Sequence, residues 1–124
     1  MNADPANEPA VILFAHGSRA AEANDWHRRM CGALAERTGR RVEPGFLELC
    51  APDLITAART LADEGHRTIV VVPYLLAPGR HAREDLPRLV VEANATIDGV
   101  DVVLNPIFGE DPAILDLLAA QLGG

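Results

Sequence analysis

Ile69-Val70-Val71-Val72-Pro73-Tyr74-Leu75-Leu76 is an apolar run without polar alternation, and Val11-Ile12-Leu13-Phe14-Ala15 is a second. Runs of this kind mark parallel strands covered on both faces, because a half-exposed strand would alternate polar and apolar side chains. Each run leads into a histidine. The first opens directly onto His16-Gly17-Ser18, and the second passes a Pro78-Gly79 turn before His81. In open α/β sheets ligands bind beyond the carboxyl ends of the strands. The two imidazoles are therefore expected on the one sheet edge where chemistry occurs.

Between and around these runs the chain reads as alternating helices and strands. A helix is expected from about Ala20 to Arg37, with Trp26, Met30, Ala33 and Leu34 on its apolar stripe and Gly39 as its stop. Residues 41–48 form a second strand, which Pro44 and Gly45 push toward an edge position. Ala51-Pro52-Asp53 opens a helix with Leu54, Ala57, Ala58 and Leu61 inward, closed by Gly65. Residues 68–75 form the central strand, a helix follows from about His81 to Ala95, and Val100 to Leu104 is the fourth strand. Asp111-Pro112 caps a last helix bearing Ile114, Leu115, Leu118 and Leu122. The βαβαβαβα order implies an α/β fold: one doubly wound, flavodoxin-like or chelatase-like, four-stranded parallel sheet with helices on both faces. Right-handed crossovers favour the order 2-1-3-4, whose switch point lies between the strands that deliver His16 and His81.

The 124 residues are expected as a flexible leader over 1–9 and a single domain over 10–124. Aromatics make up only 4% of the chain, so the core is aliphatic. A formal charge of −7 argues against broad binding to nucleic acid or an anionic membrane, which needs clustered Lys and Arg. The start is polar and acidic, with Asp4 and Glu8, and no apolar stretch reaches the roughly 20 residues of a membrane span. Cys31 and Cys50 sit in apolar-rich segments outside any CxxC pair, as expected of reduced thiols in the cytoplasm.

Neutral imidazole ligates Fe²⁺, Co²⁺ and Ni²⁺ and accepts protons near neutral pH. Glu48, at the end of the second strand, is placed to stabilise a cation or take protons. The set is too sparse for a closed structural zinc site, so a metal held briefly and passed on fits better. Gly17-Ser18 reads as a turn and helix cap beside His16, whereas His27 and His66 read as surface residues. Arg19, Arg80 and Arg83 gather around the two histidines, where they would attract carboxylates, and Arg83 is expected to pair with Glu84 or Asp85.

Three segments in order resemble the small sirohydrochlorin chelatases, the CbiX/SirB group. They are His16-Gly17-Ser18-Arg19 with Glu22-Ala23-Asn24, then Phe46-Leu47-Glu48-Leu49 with Pro52-Asp53-Leu54, then Ile69 to Leu76 with Gly79-Arg80-His81 and Glu84-Asp85-Leu86-Pro87. The resemblance runs from about residue 10 to 122. It implies a class II, ATP-independent chelatase that inserts Co²⁺, Fe²⁺ or Ni²⁺ into sirohydrochlorin for cobalamin- or siroheme-type synthesis. His16 and His81 would be metal ligands and proton acceptors, and Glu48 a weaker third. Ser18, Arg19, Gly79, Arg80 and Arg83 would contact the tetrapyrrole. The metal enters as substrate, with no tightly bound cofactor. Longer relatives carry two such domains, so a C2 homodimer would rebuild the two-lobed cleft here. The competing reading is a carrier that binds metal or tetrapyrrole at the same site without turnover. A phosphoryl-transfer enzyme with His16 as nucleophile is disfavoured by the lack of a GxxxxGK[ST] or GxGxxG loop. A CheY-like domain would need acidic residues where Ala15-His16 stands.

Overall fold

The computed structural model describes residues 8–77 and 79–123, the side chain at position 81 apart. Of the leader expected over 1–9, residues 1–7 lie outside the described residues; Glu8 pairs with Arg40 at 2.8 Å. The elements run β1 (Ala10–Ala15), α1 (Ala21–Thr38), β2 (Val42–Phe46), α2 (Leu54–Asp63), β3 (Thr68–Pro73), α3 (Arg80–Thr96), β4 (Asp101–Leu104), a 3-10 turn at Phe108–Glu110, and α4 (Ala113–Gln121). The sheet is parallel throughout, in the order β2-β1-β3-β4. β1 lies between β2 and β3, so both long apolar runs are interior strands, as their composition demands. Pro44 is tolerated because β2 is an edge strand.

The larger core lies on one face. Ile12 and Phe14 of β1, Ile69 and Val71 of β3, and Val102 of β4 meet Leu54, Ala57, Ala58 and Leu61 of α2 and Ala82, Leu86, Val90 and Ala93 of α3. Leu61 has no exposed surface; its truncation to alanine would cost about 2–5 kcal/mol. On the opposite face Val11, Leu13 and Val42 meet Cys31 of α1. Burial pushes the Cys31 thiol up to about 11, so it acts as a small hydrophobe. Asp53 caps α2 by accepting from the Thr56 N–H (2.8 Å), and Gly39 ends α1 in the left-handed region that glycine occupies without strain.

The structure corrects several expectations. β2 ends at Phe46 and β3 at Pro73, two residues early in each case. The inward side of α1 is Asn24, His27 and Cys31, with Met30 and Leu34 half-buried against the same core as expected, whereas Trp26 is 59% exposed. His27 is not a surface residue: it is buried, its Nε2 lies 2.8 Å from the Leu13 carbonyl oxygen, and its ring packs against Phe46 and Tyr74. His66 is half-buried beside Glu64. No residue of α4 is buried.

Candidate functional site

The β1–β2 ladder continues beyond the strands. The Leu47 N–H donates to the Ala15 carbonyl (2.9 Å), and the Glu48 N–H donates to the His16 carbonyl (3.1 Å). These two bonds set His16 and Glu48 side by side, with His16 Nδ1 and Glu48 Oε1 3.8 Å apart. Both side chains are about half exposed, so each remains open to a ligand. The separation exceeds hydrogen-bond length but permits attraction when the imidazole is protonated.

Gly17 makes this apposition possible. Its φ of +94° lies where side chains are strained, and a methyl group built there would collide with the Glu48 carbonyl oxygen. Two α1 side chains hold the participating loops. The Asn24 amide accepts from the Ser18 N–H (3.0 Å) and donates to the Ser18 carbonyl (2.8 Å). Arg28 donates to the Ala51 carbonyl (3.1 Å), reaches Cys50 Sγ (3.0 Å), and lies over the Phe46 ring. The loop bearing His16 and the loop bearing Glu48 are thus fixed to the same helix.

His16, Leu47 and Glu48 form one wall of a cleft of about 350 Å³, and Asp85, Arg88 and Leu89 of α3 form the other. Asp85 accepts from Arg88 (2.9 Å), whose side chain is largely exposed and keeps donors free for an anion. Position 81 precedes Asp85 by one helical turn and Arg88 by two, so it shares their face of α3. The His81 side chain lies outside the described residues. Among the described residues, no group of three or more His, Cys, Asp and Glu is placed to hold a metal ion.

The other expected contacts are distributed differently. The Ser18 hydroxyl accepts from the Ala20 N–H (3.0 Å), so it holds its own loop. Arg19 is exposed, Gly79 caps α3, and Arg80 pairs with Glu84 (3.2 Å); none of them lines the cleft. Arg83 pairs with Glu110 (3.0 Å), not with Glu84 or Asp85, and lines a separate groove with Ile107. Asn24, Arg28, Asp85 and Arg88 were not singled out as site residues from the sequence. Spacings of four and seven residues from His81 were the available signal for Asp85 and Arg88. For Asn24 the signal was its place in the Glu22-Ala23-Asn24 part of the first motif; for Arg28 there was none, because its partners are a backbone carbonyl and a thiol distant in sequence.

A family model described as CbiX matches residues 10–123. The chain is 35% identical over 112 residues to the sirohydrochlorin cobaltochelatase of Sulfurisphaera tokodaii, covering 90% of this chain and 89% of that protein. It is 31% identical over 109 residues to the chloroplastic sirohydrochlorin ferrochelatase of Arabidopsis thaliana, covering 87% of this chain and 48% of that one. The chain thus spans about half the length of the plant relative and nearly all of the archaeal one. Among solved structures, a CbiX protein of Marinobacter aquaeolei VT8 ascribed to cobalamin biosynthesis superposes with a TM-score of 0.77 at 28% identity, covering 94% of this chain and 96% of that one.

Proposed function

Because this chain belongs to the CbiX family, we propose that it inserts a divalent metal, Co²⁺, Fe²⁺ or Ni²⁺, into sirohydrochlorin without ATP. The observation that carries this reading is the meeting of His16 and Glu48 on one wall of a cleft, in a chain whose relatives are sirohydrochlorin chelatases along most of its length. Residues 10–124 act as a single catalytic domain in this reading, and the site belongs to the cytoplasm, in keeping with two free cysteines.

Insertion exchanges water on the cation for four ring nitrogens and releases two pyrrole protons. His16 holds the ion from one side through a neutral imidazole nitrogen, which leaves positions open for the macrocycle. His81, on the helix across the cleft, is the second ligand. Glu48 sits within reach of His16 and accepts a proton as the metal enters, and an imidazole freed by metal transfer accepts the other. Sirohydrochlorin carries acetate and propionate side chains, and Arg88 meets one of these carboxylates at the rim. The Asp85 contact orients the guanidinium for that encounter. Ser18 and Gly79 shape the loops that admit the macrocycle, and Arg19, Arg80 and Arg83 supply outer positive charge that draws in the polyanion.

A cleft of about 350 Å³ stands at the lower end of ligand-pocket volumes, roughly 300–1,000 Å³. A tetrapyrrole fills more than this, so a second copy in a C2 homodimer supplies further covering surface beyond the two walls of the cleft. An anaerobic absorbance time course with sirohydrochlorin and each metal, with and without protein, tests the activity. Protein-dependent acceleration of the metallation shift is expected. A shift from stoichiometric binding with no acceleration would instead identify a carrier.

A further inference from the structure

The loop bearing His16 is tied to α1, whereas the chain that bears His81 draws little support from its own helix. Position 81 lies in the first turn of α3. Gly79, the N-cap, has no side chain with which to cap that turn. Pro87 lies inside α3 and cannot donate to the Arg83 carbonyl, so the helix lacks one of the bonds that join its first two turns to the rest. Ala82 and Leu86 seat these turns on the sheet. The approach from β3 leaves the sheet ladder after the Tyr74 N–H, which donates to the Phe14 carbonyl (2.7 Å).

The missing support comes from the 3-10 turn at Phe108–Glu110, whose three residues each hold a different point. The Phe108 ring meets the Tyr74 ring edge-on, with centroids 5.2 Å apart. The Gly109 N–H donates to the Leu75 carbonyl (2.8 Å), and a methyl group at Gly109 would collide with the Leu76 carbonyl oxygen. The Glu110 carboxylate accepts from Arg83 (3.0 Å), the residue whose carbonyl Pro87 cannot serve. The turn thus grips the chain on both sides of position 81, at 74–76 before it and at 83 after it. Its own base is firm. The Asn105 N–H donates to the Val71 carbonyl (3.0 Å), and the Glu110 N–H to the Ile107 carbonyl (2.9 Å).

We propose that the Phe108–Glu110 turn positions His81, with Gly109 as the positioning residue. This rests on the reading above, in which His81 is the second metal ligand. A side chain at Gly109 would push the Leu75-Leu76 segment outward, and the shift would pass into the first turn of α3. The device matches the one at the first histidine. Each histidine-bearing segment is set by a glycine pressed against a backbone carbonyl, that of Glu48 for Gly17 and that of Leu76 for Gly109. An ion that is passed on holds its ligands only briefly, so their orientation has to come from the surrounding chain, and such orienting partners govern metal affinity. Gly109 acts through position 81 and contacts neither metal nor macrocycle.

Calorimetric titration of the whole chain with Co²⁺ alone tests it. Gly109→Ala is expected to raise the Co²⁺ Kd roughly tenfold, as for loss of a partner that orients a ligand. Added to His81→Ala, it should change the Kd less than about twofold, because the ligand it positions is gone. Glu110→Arg, at an exposed position, should raise the Kd roughly threefold by repelling Arg83, and Arg83→Glu added to it should restore the parental value. In the insertion assay Gly109→Ala should lower kcat about tenfold and leave KM for sirohydrochlorin within about twofold. An undiminished loss in the His81→Ala background would overturn the proposal, since Gly109 would then act elsewhere. So would parental cobalt affinity in both Gly109→Ala and Glu110→Arg. If Gly109→Ala does not fold, the reversal and rescue at 110 and 83 decide alone. A parent that binds cobalt but inserts none would refute the chelatase reading, and the cobalt Kd values would still decide the role of the turn.

Discussion

The carboxyl ends of β1 and β2 and the flank formed by β3, β4 and α4 are built on opposite plans. At the first, the chain satisfies itself. Backbone bonds from Leu47 and Glu48 extend the ladder, the Asn24 amide holds Ser18, and Arg28 holds the Cys50-Ala51 segment. At the second, an apolar sheet strip and an apolar helix are both left open. The difference separates two tasks. A reacting pair has to be held near a fixed geometry by its own chain, because a small misplacement costs catalysis heavily. An open apolar flank of this kind, in contrast, has no internal partner to hold it.

Substitutions in the tethered region should change catalysis and leave mass untouched. The largest effect is expected from Gly17→Ala. The added methyl group strikes the Glu48 carbonyl and sits at a strained φ, so His16 and Glu48 move apart. Metal insertion should fall roughly a hundredfold, the cost of about 1 Å of misplacement, with the sedimentation coefficient unchanged. Steady-state rates from the absorbance assay check this. Asn24→Ala removes two bonds to Ser18 while leaving Gly17 and Glu48 in contact. It should lower the rate about tenfold, less than Gly17→Ala; equal or larger loss would shift the main support of the loop to Asn24.

The smallest effect concerns the joint between the two regions. His27 packs against Phe46 on the site side and Tyr74 on the flank side, and Tyr74 in turn meets Phe108 near the base of α4. Burial holds the His27 imidazole below its ordinary pKa of about 6.5, against an opposing contribution from its bond to the Leu13 carbonyl. With the folded pKa depressed, the unfolded chain binds the extra proton first. Stability is then full above about pH 6.5 and declines as pH falls toward the folded value. Thermal melts at about pH 7.5 and about pH 5.5 should show a lower Tm in acid. The acid-induced drop should be smaller in His27→Gln; an equal drop would assign it to other groups.

Most of the fold was legible because its strands are apolar without alternation. That pattern fixes a parallel sheet, and crossover handedness then fixes the order β2-β1-β3-β4. The same logic brought His16 and Glu48 to one edge. What escaped were polar residues serving backbone groups. Apolar periodicity selected Trp26, Met30, Ala33 and Leu34 as the inner stripe of α1. Met30 and Leu34 do pack against the core, but Trp26 and Ala33 are exposed, and the helix buries Asn24 and His27 beside them because the Ser18 loop and the Leu13 carbonyl require donors and acceptors there. Arg83 shows a related limit: proximity in sequence suggested Glu84 or Asp85, yet Glu110 arrives from a distant segment. The leucines of α4 were readable as an apolar helix face, but nothing in their spacing tells whether a helix covers its own sheet or another chain's.

The most direct test of the central claim is the initial rate of protein-dependent cobalt insertion into sirohydrochlorin, compared between the parent and His16→Ala. Loss of a ligating proton acceptor is expected to lower that rate by roughly 10²–10⁴-fold, with circular dichroism and melting unchanged because the side chain is half exposed. A folded His16→Ala variant that inserts cobalt at the parental rate would contradict the account and move the chemistry away from the ends of β1 and β2.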